Sequence, residues 1–398
     1  MTKKERLLIF VLAAIQFTHI MDFMIMMPLG PQLMRLFNIN PTQFGLIVSA
    51  YTFSAGVSGF LGAFLIDRFD RKKAVQFMYL GFTVGTIACA LAPNYMLLVL
   101  ARALAGMFGG VMSALILSIV GDTFTYERRA SAMGAVMAAF SFASVLGVPF
   151  GLYLANTFSW HAPFFFIGGL GVIVFVLITL VIPQMNAHVK KDIKPSSPIQ
   201  VITNITSNPN QLRALLFMVL LMFGQFSIIP FISPYMVKNV GFTEHQLMYI
   251  YLIGGGLTIF TSPLIGKMAD KYGKPKVFTI FAILTVIPLF LITNMPQIAI
   301  GWALVVTSMF FVTVGGRMIP AMTMITSTVK PQNRGSFMSI NSSVQQLSAS
   351  LASFIAGAIV MENADGKIEY YNVVGYIAIS AGIIAIFIGT KLKVAEGN

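Results

Sequence analysis

The sequence is short of charge. Asp, Glu, Lys and Arg make up 10% of its 398 residues, where a soluble globular protein carries about 25%. So small a supply cannot cover a water-facing surface, which excludes a soluble globular protein. There is a single cysteine, Cys89, in an apolar run, so no intramolecular disulfide is possible. No HExxH, Walker loop, nucleophile elbow or cysteine pair occurs, so no enzyme, cofactor or metal site is expected, and no ATP-driven pump. The alternation of apolar and polar residues that marks a membrane barrel is also missing.

What is present is hydrophobic. Apolar residues are 57% of the chain, with a mean hydropathy of +0.83. They fall in runs of about 20 residues or more, enough to cross a bilayer core as helix. Twelve spans are expected, near 7–34, 43–66, 74–92, 95–121, 131–156, 161–183, 211–237, 244–266, 276–293, 297–326, 335–361 and 370–390. The first is too long for a signal-peptide core and lacks a small-residue cleavage site, so it reads as a retained helix. The fold expected is an all-α membrane protein of two six-helix halves, 1–183 and 211–398, joined by a polar linker at 184–210.

The net charge of +13 would suit nucleic acid, but its distribution points to topology. With the N-terminus inside, 21 of the 26 Lys and Arg fall in inner segments. Only Arg35, Lys238 and Lys367 fall outside, and Arg102 and Arg317 lie within spans. Both termini are therefore expected in the cytoplasm. Tyr95, Trp160, Trp302, Tyr370 and Tyr371 fall at the outer ends of spans, as an interfacial aromatic belt would.

The halves repeat. Asp67-Arg68-Phe69-Asp70-Arg71-Lys72 matches Asp270-Lys271-Tyr272-Gly273-Lys274-Pro275 at an offset of 203. Arg129-Ala130-Ser131-Ala132-Met133 matches Arg334-Gly335-Ser336-Phe337-Met338 at 205, and Gly109-Gly110 matches Gly315-Gly316 at 206. Duplicated halves are a transporter signature, with the substrate site near mid-membrane.

The stretch Ala63-Phe64-Leu65-Ile66-Asp67-Arg68-Phe69-Asp70-Arg71-Lys72 resembles the major facilitator superfamily's loop motif G-x-x-x-D-R-x-G-R-K, and Gly266 to Lys274 is a closer second copy. Ala63 and Asp70 depart from its glycines. The resemblance implies a latch in which Asp67, Arg68, Arg71 and Lys72, with Asp270, Lys271 and Gly273, engage the starts of neighbouring helices at Arg129 and Arg334 and hold the inside closed. The competing reading is that these basic residues only set topology. Arg102 in Arg102-Ala103-Leu104-Ala105-Gly106 resembles the superfamily's R-x-x-x-G. Gly147-Val148-Pro149-Phe150-Gly151 resembles the G-V-P-x-G of its drug:proton antiporter branch, which includes arabinose-efflux-like permeases; those relatives commonly carry Trp-Arg where this chain has Trp160-His161.

Asp22 is the one acid deep in a span, about fifteen residues into the first. A carboxylate in such a place suits a proton carrier, and Arg102 falls at a comparable depth. A structural ion pair is the alternative. His19, one turn earlier, is a weaker proton-coupling candidate. For substrate binding the candidates are Asp22, Arg317, Gln225, Asn341 and Gln345, with Gln346 beside it. Arg317 either meets an anionic group or reaches the cytoplasmic side, and the amides either line a cavity or join helices. The function expected is export of a small organic or amphiphilic molecule by proton antiport. Uptake or uniport is the alternative, and a non-transporting sensor would be expected to carry a soluble domain. Partners are protons, substrate and the lipid bilayer, with no nucleic acid. A monomer in a bacterial cytoplasmic membrane is the expectation from the family.

Overall fold

The computed structural model describes residues 2–65, 69–186, 203, 205–330 and 334–395. It is almost wholly helical: α1 Lys3–Ile25, α2 Gly30–Phe37, α3 Pro41–Leu65, α4 Arg71–Ala90, α5 Tyr95–Gly109, α6 Met112–Thr123, α7 Tyr126–Phe142, α8 Val148–Thr157 and α9 Ala162–Val181 precede the linker. After it come α10 Pro209–Phe226, α11 Ile229–Tyr235, α12 Leu247–Tyr272, α13 Lys274–Thr293, α14 Ile300–Ser327, α15 Arg334–Ile359 and α16 Tyr371–Gly389. A two-stranded antiparallel hairpin, Met361–Glu362 with Ile368–Glu369, fills the loop before α16.

Ten helices among the described residues are long and apolar enough to cross a membrane. In lipid, only a helix satisfies its own backbone within one segment, which is why each apolar run takes this form. The two other expected spans, 74–92 and 335–361, are helices as well, α4 and α15. The first opens on Arg71-Lys72-Lys73 and the second is rich in serine and amides, so both are less apolar.

Four expected spans are interrupted. The first is α1 and α2, parted by the turn at 26–29 around Pro28. The seventh is α10 and α11, followed by a π-helical turn Met236–Val240. Pro31, in the first turn of α2, and Pro234, inside α11 just before the π-turn, stand 203 residues apart, so the repeat includes a proline in each broken span. The fourth parts at Gly110–Val111, and the fifth carries a π-helical turn, Ala143–Gly147, just before Pro149. Proline lacks an amide hydrogen and disturbs the ladder upstream; a π-turn absorbs that change.

The chain forms two units. The first comprises Met1–Met26 and Ala50–Ser196, the second Met27–Ser49 and Ser197–Asn398. In the first, Leu8, Leu12 and Ile15 of α1 pack with Tyr79 and Phe82 of α4, Leu115 and Ile119 of α6 and Val136 of α7. A reciprocal capping box between Thr2 and Glu5 starts α1.

In the second unit, α2 and the first turns of α3 lie against the helices after the linker. Thr42 Oγ1 donates to the Gly357 carbonyl at 2.8 Å, and Ser350 Oγ donates to the Ser49 carbonyl at 3.0 Å. Arg35 pairs with Glu244, and Lys238 pairs with Glu362 on the hairpin. Phe44 meets Phe231 edge to face with centroids 6.0 Å apart.

The aromatic belt is only partly as expected. Trp302 and Tyr370 are exposed, but Trp160 is buried and Tyr371 donates from inside to the Ile228 carbonyl at 2.9 Å. Position at a helix end does not fix which face a ring takes, and these two face the protein.

Candidate functional site

The first unit encloses a buried ion pair. Asp22 lies near the end of α1 and Arg102 in the middle of α5; they are 0% and 1% exposed. Arg102 Nη1 donates to Asp22 Oδ2 at 2.8 Å and to the Asp22 carbonyl at 3.4 Å. Thr86 Oγ1 of α4 donates to the other carboxylate oxygen at 3.1 Å. The guanidinium also lies over the ring of Tyr51 on α3, 4.3 Å from its centroid. Four helices thus hold one salt bridge.

Glycine explains how α5 comes so close. A Cβ at Gly106 would stand 2.2 Å from the Tyr51 carbonyl oxygen, and one at Gly110 2.1 Å from that of Ala55. Only a residue without a side chain lets the backbones of α3 and α5 approach in this way. The fifth-span glycines serve α1 alike: Cβ atoms at Gly147 and Gly151 would meet Met21 at 3.3 Å and Ile25 at 2.6 Å, residues on either side of Asp22. Pro149 sits in the first turn of α8, after the π-turn.

A second polar pair lies beside the first. Among the described residues His19 of α1 has no hydrogen-bond partner at either ring nitrogen, and the Tyr51 hydroxyl has none. Both face Gly109, where an added Cβ would stand 2.9 Å from His19 Nε2 and 2.7 Å from Tyr51 Oη. The Tyr51 ring that Arg102 lies over has its centroid 6.3 Å from that of His19.

Of the loop residues, Asp67 and Arg68 lie outside the described residues. Asp70, which replaces the glycine of the motif, caps α4 instead of making a tight turn. Its Oδ1 accepts from the Lys73 amide at 3.1 Å and its Oδ2 from the Met185 amide at 2.8 Å. In the second copy Gly273 takes φ +94°, a left-handed conformation that suits glycine, between α12 and α13. Arg71 is buried and pairs with Asp122 at the end of α6 at 3.2 Å. Lys72 donates to the Thr179 carbonyl at 2.8 Å, and Arg129 to the Gly121 carbonyl at 2.7 Å. Asp270 pairs with Lys274 at 3.0 Å, Lys271 lies over Tyr272, and Arg334 begins α15 exposed.

In the second unit, the repeat places Gln225 opposite Asp22 at the offset of 203 and Ser308 opposite Arg102 at 206. The counterpart of the ion pair is therefore neutral. Gln225 Oε1, Ser308 Oγ and the Oδ1 of buried Asn341 have no partner among the described residues. Gln345 is half-buried on α15, one turn beyond Asn341. Arg317 of α14 is 1% exposed. Among the described residues no group of three or more His, Cys, Asp or Glu could hold a metal ion.

The paired charges inside a span, the glycine-seated helices and the doubled fracture make a transporter's core, and comparison with known proteins names the family. Its model, described as Major Facilitator Superfamily, matches residues 12–352 and matches again at 214–396. The chain belongs to the Major Facilitator Superfamily. Among relatives in this superfamily, the inner membrane transport protein YdhP of Escherichia coli K12 is 26% identical over 371 residues, covering 92% of this chain and 91% of that protein. The quinolone resistance protein NorA of Staphylococcus aureus MRSA252 is 24% identical over 383 residues, covering 96% of each. A solved D-xylose–proton symporter shares the fold with a TM-score of 0.78 at 16% identity, over 98% of this chain and 99% of that one. This is a multi-pass membrane transporter of that superfamily.

Tyr51, Thr86 and Asp122 were not among the residues expected from the sequence. Thr86 and Tyr51 are polar groups in apolar runs, a weak signal. Asp122 follows the fourth span, and its role emerges only when α4 and α6 are placed together.

Proposed function

We propose that this transporter exports a small organic or amphiphilic molecule in exchange for protons, with Asp22 as the proton carrier. The observation that carries this reading is the Asp22–Arg102 pair, a fully buried carboxylate held by one charged and one neutral donor. A carboxylate here is stable as an anion only while Arg102 answers it. When a proton takes Arg102's place, the guanidinium keeps the Asp22 carbonyl and the Tyr51 ring face. The pair can thus switch without stranding a bare cation. Arg102 tunes the carboxylate, and His19 with Tyr51 offers polar atoms beside it.

The chain works through twelve spans with both termini in the cytoplasm of a bacterium, as a monomer, by alternating access. Opening to the outside requires Met27–Ser49 to part from α15, breaking the Thr42–Gly357 and Ser350–Ser49 bonds and the Arg35–Glu244 pair. The loop motifs latch the inner side. Export, rather than uptake, is supported by the Gly147-Val148-Pro149-Phe150-Gly151 motif and by the resistance function in NorA's name.

The test uses purified protein in liposomes with an imposed pH gradient and a fluorescent quinolone as probe. Wild type is expected to move the quinolone against its own gradient with counter-flow of protons. In Asp22→Asn the proton flux should vanish; quinolone-dependent proton flux that survives it overturns the assignment.

A further inference from the structure

The second unit buries a cation that no anion among its described residues answers. Arg317 Nε and Nη2 are enclosed without a hydrogen-bond partner, and the side chain makes no ion pair among the described residues. The unit's described acids are engaged or exposed elsewhere: Glu244 with Arg35, Glu362 with Lys238, Asp270 with Lys274, and Asp365 and Glu369 at the hairpin. Arg102, equally buried, has a carboxylate, a carbonyl and a ring face. Among the described residues Arg317 has none of these. Two glycines stand beside it. A Cβ at Gly224 of α10 would stand 3.7 Å from Nη2, and one at Gly382 of α16 3.8 Å from Nη1. These glycines keep the edge of the guanidinium free of side chains on two sides.

Arginine does not shed its charge, so the cation must be answered by something that arrives. We infer that Arg317 is an anion-binding site that receives a single oxyanion, a carboxylate or its equivalent, carried on an otherwise apolar molecule. The planar fork of the guanidinium fits a carboxylate in a two-bond arrangement. A cationic molecule would add a second buried positive charge and be rejected. Gln225, next in the chain to Gly224, supplies an unpartnered amide oxygen for a neutral donor on the same molecule. The inference deepens the transport reading and rests on it for the anion being cargo; the same oxyanion chemistry is offered by an anionic lipid head group.

Equilibrium binding to the purified full chain in neutral maltoside tests this without any gradient. The probes are 1-naphthoate, 1-naphthalenemethanol and 1-naphthylmethylammonium, which share a ring and differ in head group. Wild type is expected to bind the naphthoate about tenfold or more tighter than the alcohol, and the ammonium weakest. Arg317→Gln should erase the preference, Arg317→Lys should keep part of it, and Gly134→Ala, where an added Cβ meets nothing within 4 Å, should leave it whole. Gly382→Ala, which keeps the cation but sets a methyl against Nη1, should weaken naphthoate binding more than alcohol binding. Adding phosphatidylglycerol separates the sources. Arg317-dependent displacement of naphthoate by this lipid supports a site that takes head groups; Arg317-dependent binding that the lipid leaves untouched supports a site for cargo. Equal affinity for all three probes in wild type, or a preference that survives Arg317→Gln or stays whole in Gly382→Ala, overturns the inference. Because the readout is binding, a failure of proton coupling at Asp22 would not alter it, nor would its failure alter the flux result.

Discussion

Replacing Asp22 by Asn keeps the shape of the first unit's site and removes the single buried carboxylate among the described residues. The 2.8 Å contact with Arg102 corresponds to about 6 kcal/mol of attraction at an effective dielectric of about 20. In the intact pair, desolvation of both ions offsets most of it, so the net gain is small. The variant retains the desolvation of Arg102 and loses the attraction. The Asp22 carbonyl at 3.4 Å and the Tyr51 ring at 4.3 Å stay in place and keep the cation from being left bare. The expected loss is therefore about 3 kcal/mol, at the lower end for breaking a buried pair. Asp22→Asn/Arg102→Gln removes both charges and should lose less than the two single variants together, with a coupling of about 2 kcal/mol or more. Unfolding by dodecyl sulfate in mixed micelles measures all three. Losses that simply add would refute the reasoning, because they would mean the two charges do not answer each other.

Gly106→Ala drives a methyl toward the Tyr51 carbonyl, to 2.2 Å, and should destabilise by about 2 kcal/mol or prevent expression, whereas Gly134→Ala, with nothing within 4 Å, should change stability by about 0.5 kcal/mol or less in the same unfolding assay. Asp70→Ala removes the cap of α4 and the acceptor for Met185, and should cost about 1 to 2 kcal/mol; Asp70→Asn should restore the cap but not the bond from Met185, because its amide nitrogen cannot accept. Arg35→Cys/Glu244→Cys places two thiols at an exposed ion pair; oxidation should stop transport in liposomes and reduction should restore it, since the native Cys89 is buried and stays out of the reaction.

Much of the fold was legible because lipid leaves the backbone few choices. Apolar runs bounded by Lys and Arg gave the helices to within a few residues, and the offset of about 203 gave the repeat. The fractures were harder to see: Pro28, Pro31, Pro230 and Pro234 are visible in the sequence, but membrane helices tolerate proline, so only packing shows where each breaks. Asp22 and Arg102 could be named because a charge inside a span is costly wherever it sits. Tyr51 and Thr86 could not, because a lone hydroxyl in an apolar run bonds its own helix as readily as a neighbour's ligand. The segment Met27–Ser49 shows another limit. By sequence it belongs to the first half, yet it clusters with the second unit through Thr42, Gly45 and Ser49. Small residues that permit close backbone approach carry no signal of the partner they approach.

Proton antiport by this transporter requires Asp22 to exchange the proton. Liposomes holding wild type or Asp22→Asn, loaded with a pH indicator and given the same quinolone probe, measure it most directly. Wild type should couple probe movement to a change in internal pH, abolished by a protonophore, while Asp22→Asn should move the probe only down its own gradient and leave internal pH unchanged. Equal pH changes in the two would contradict the account.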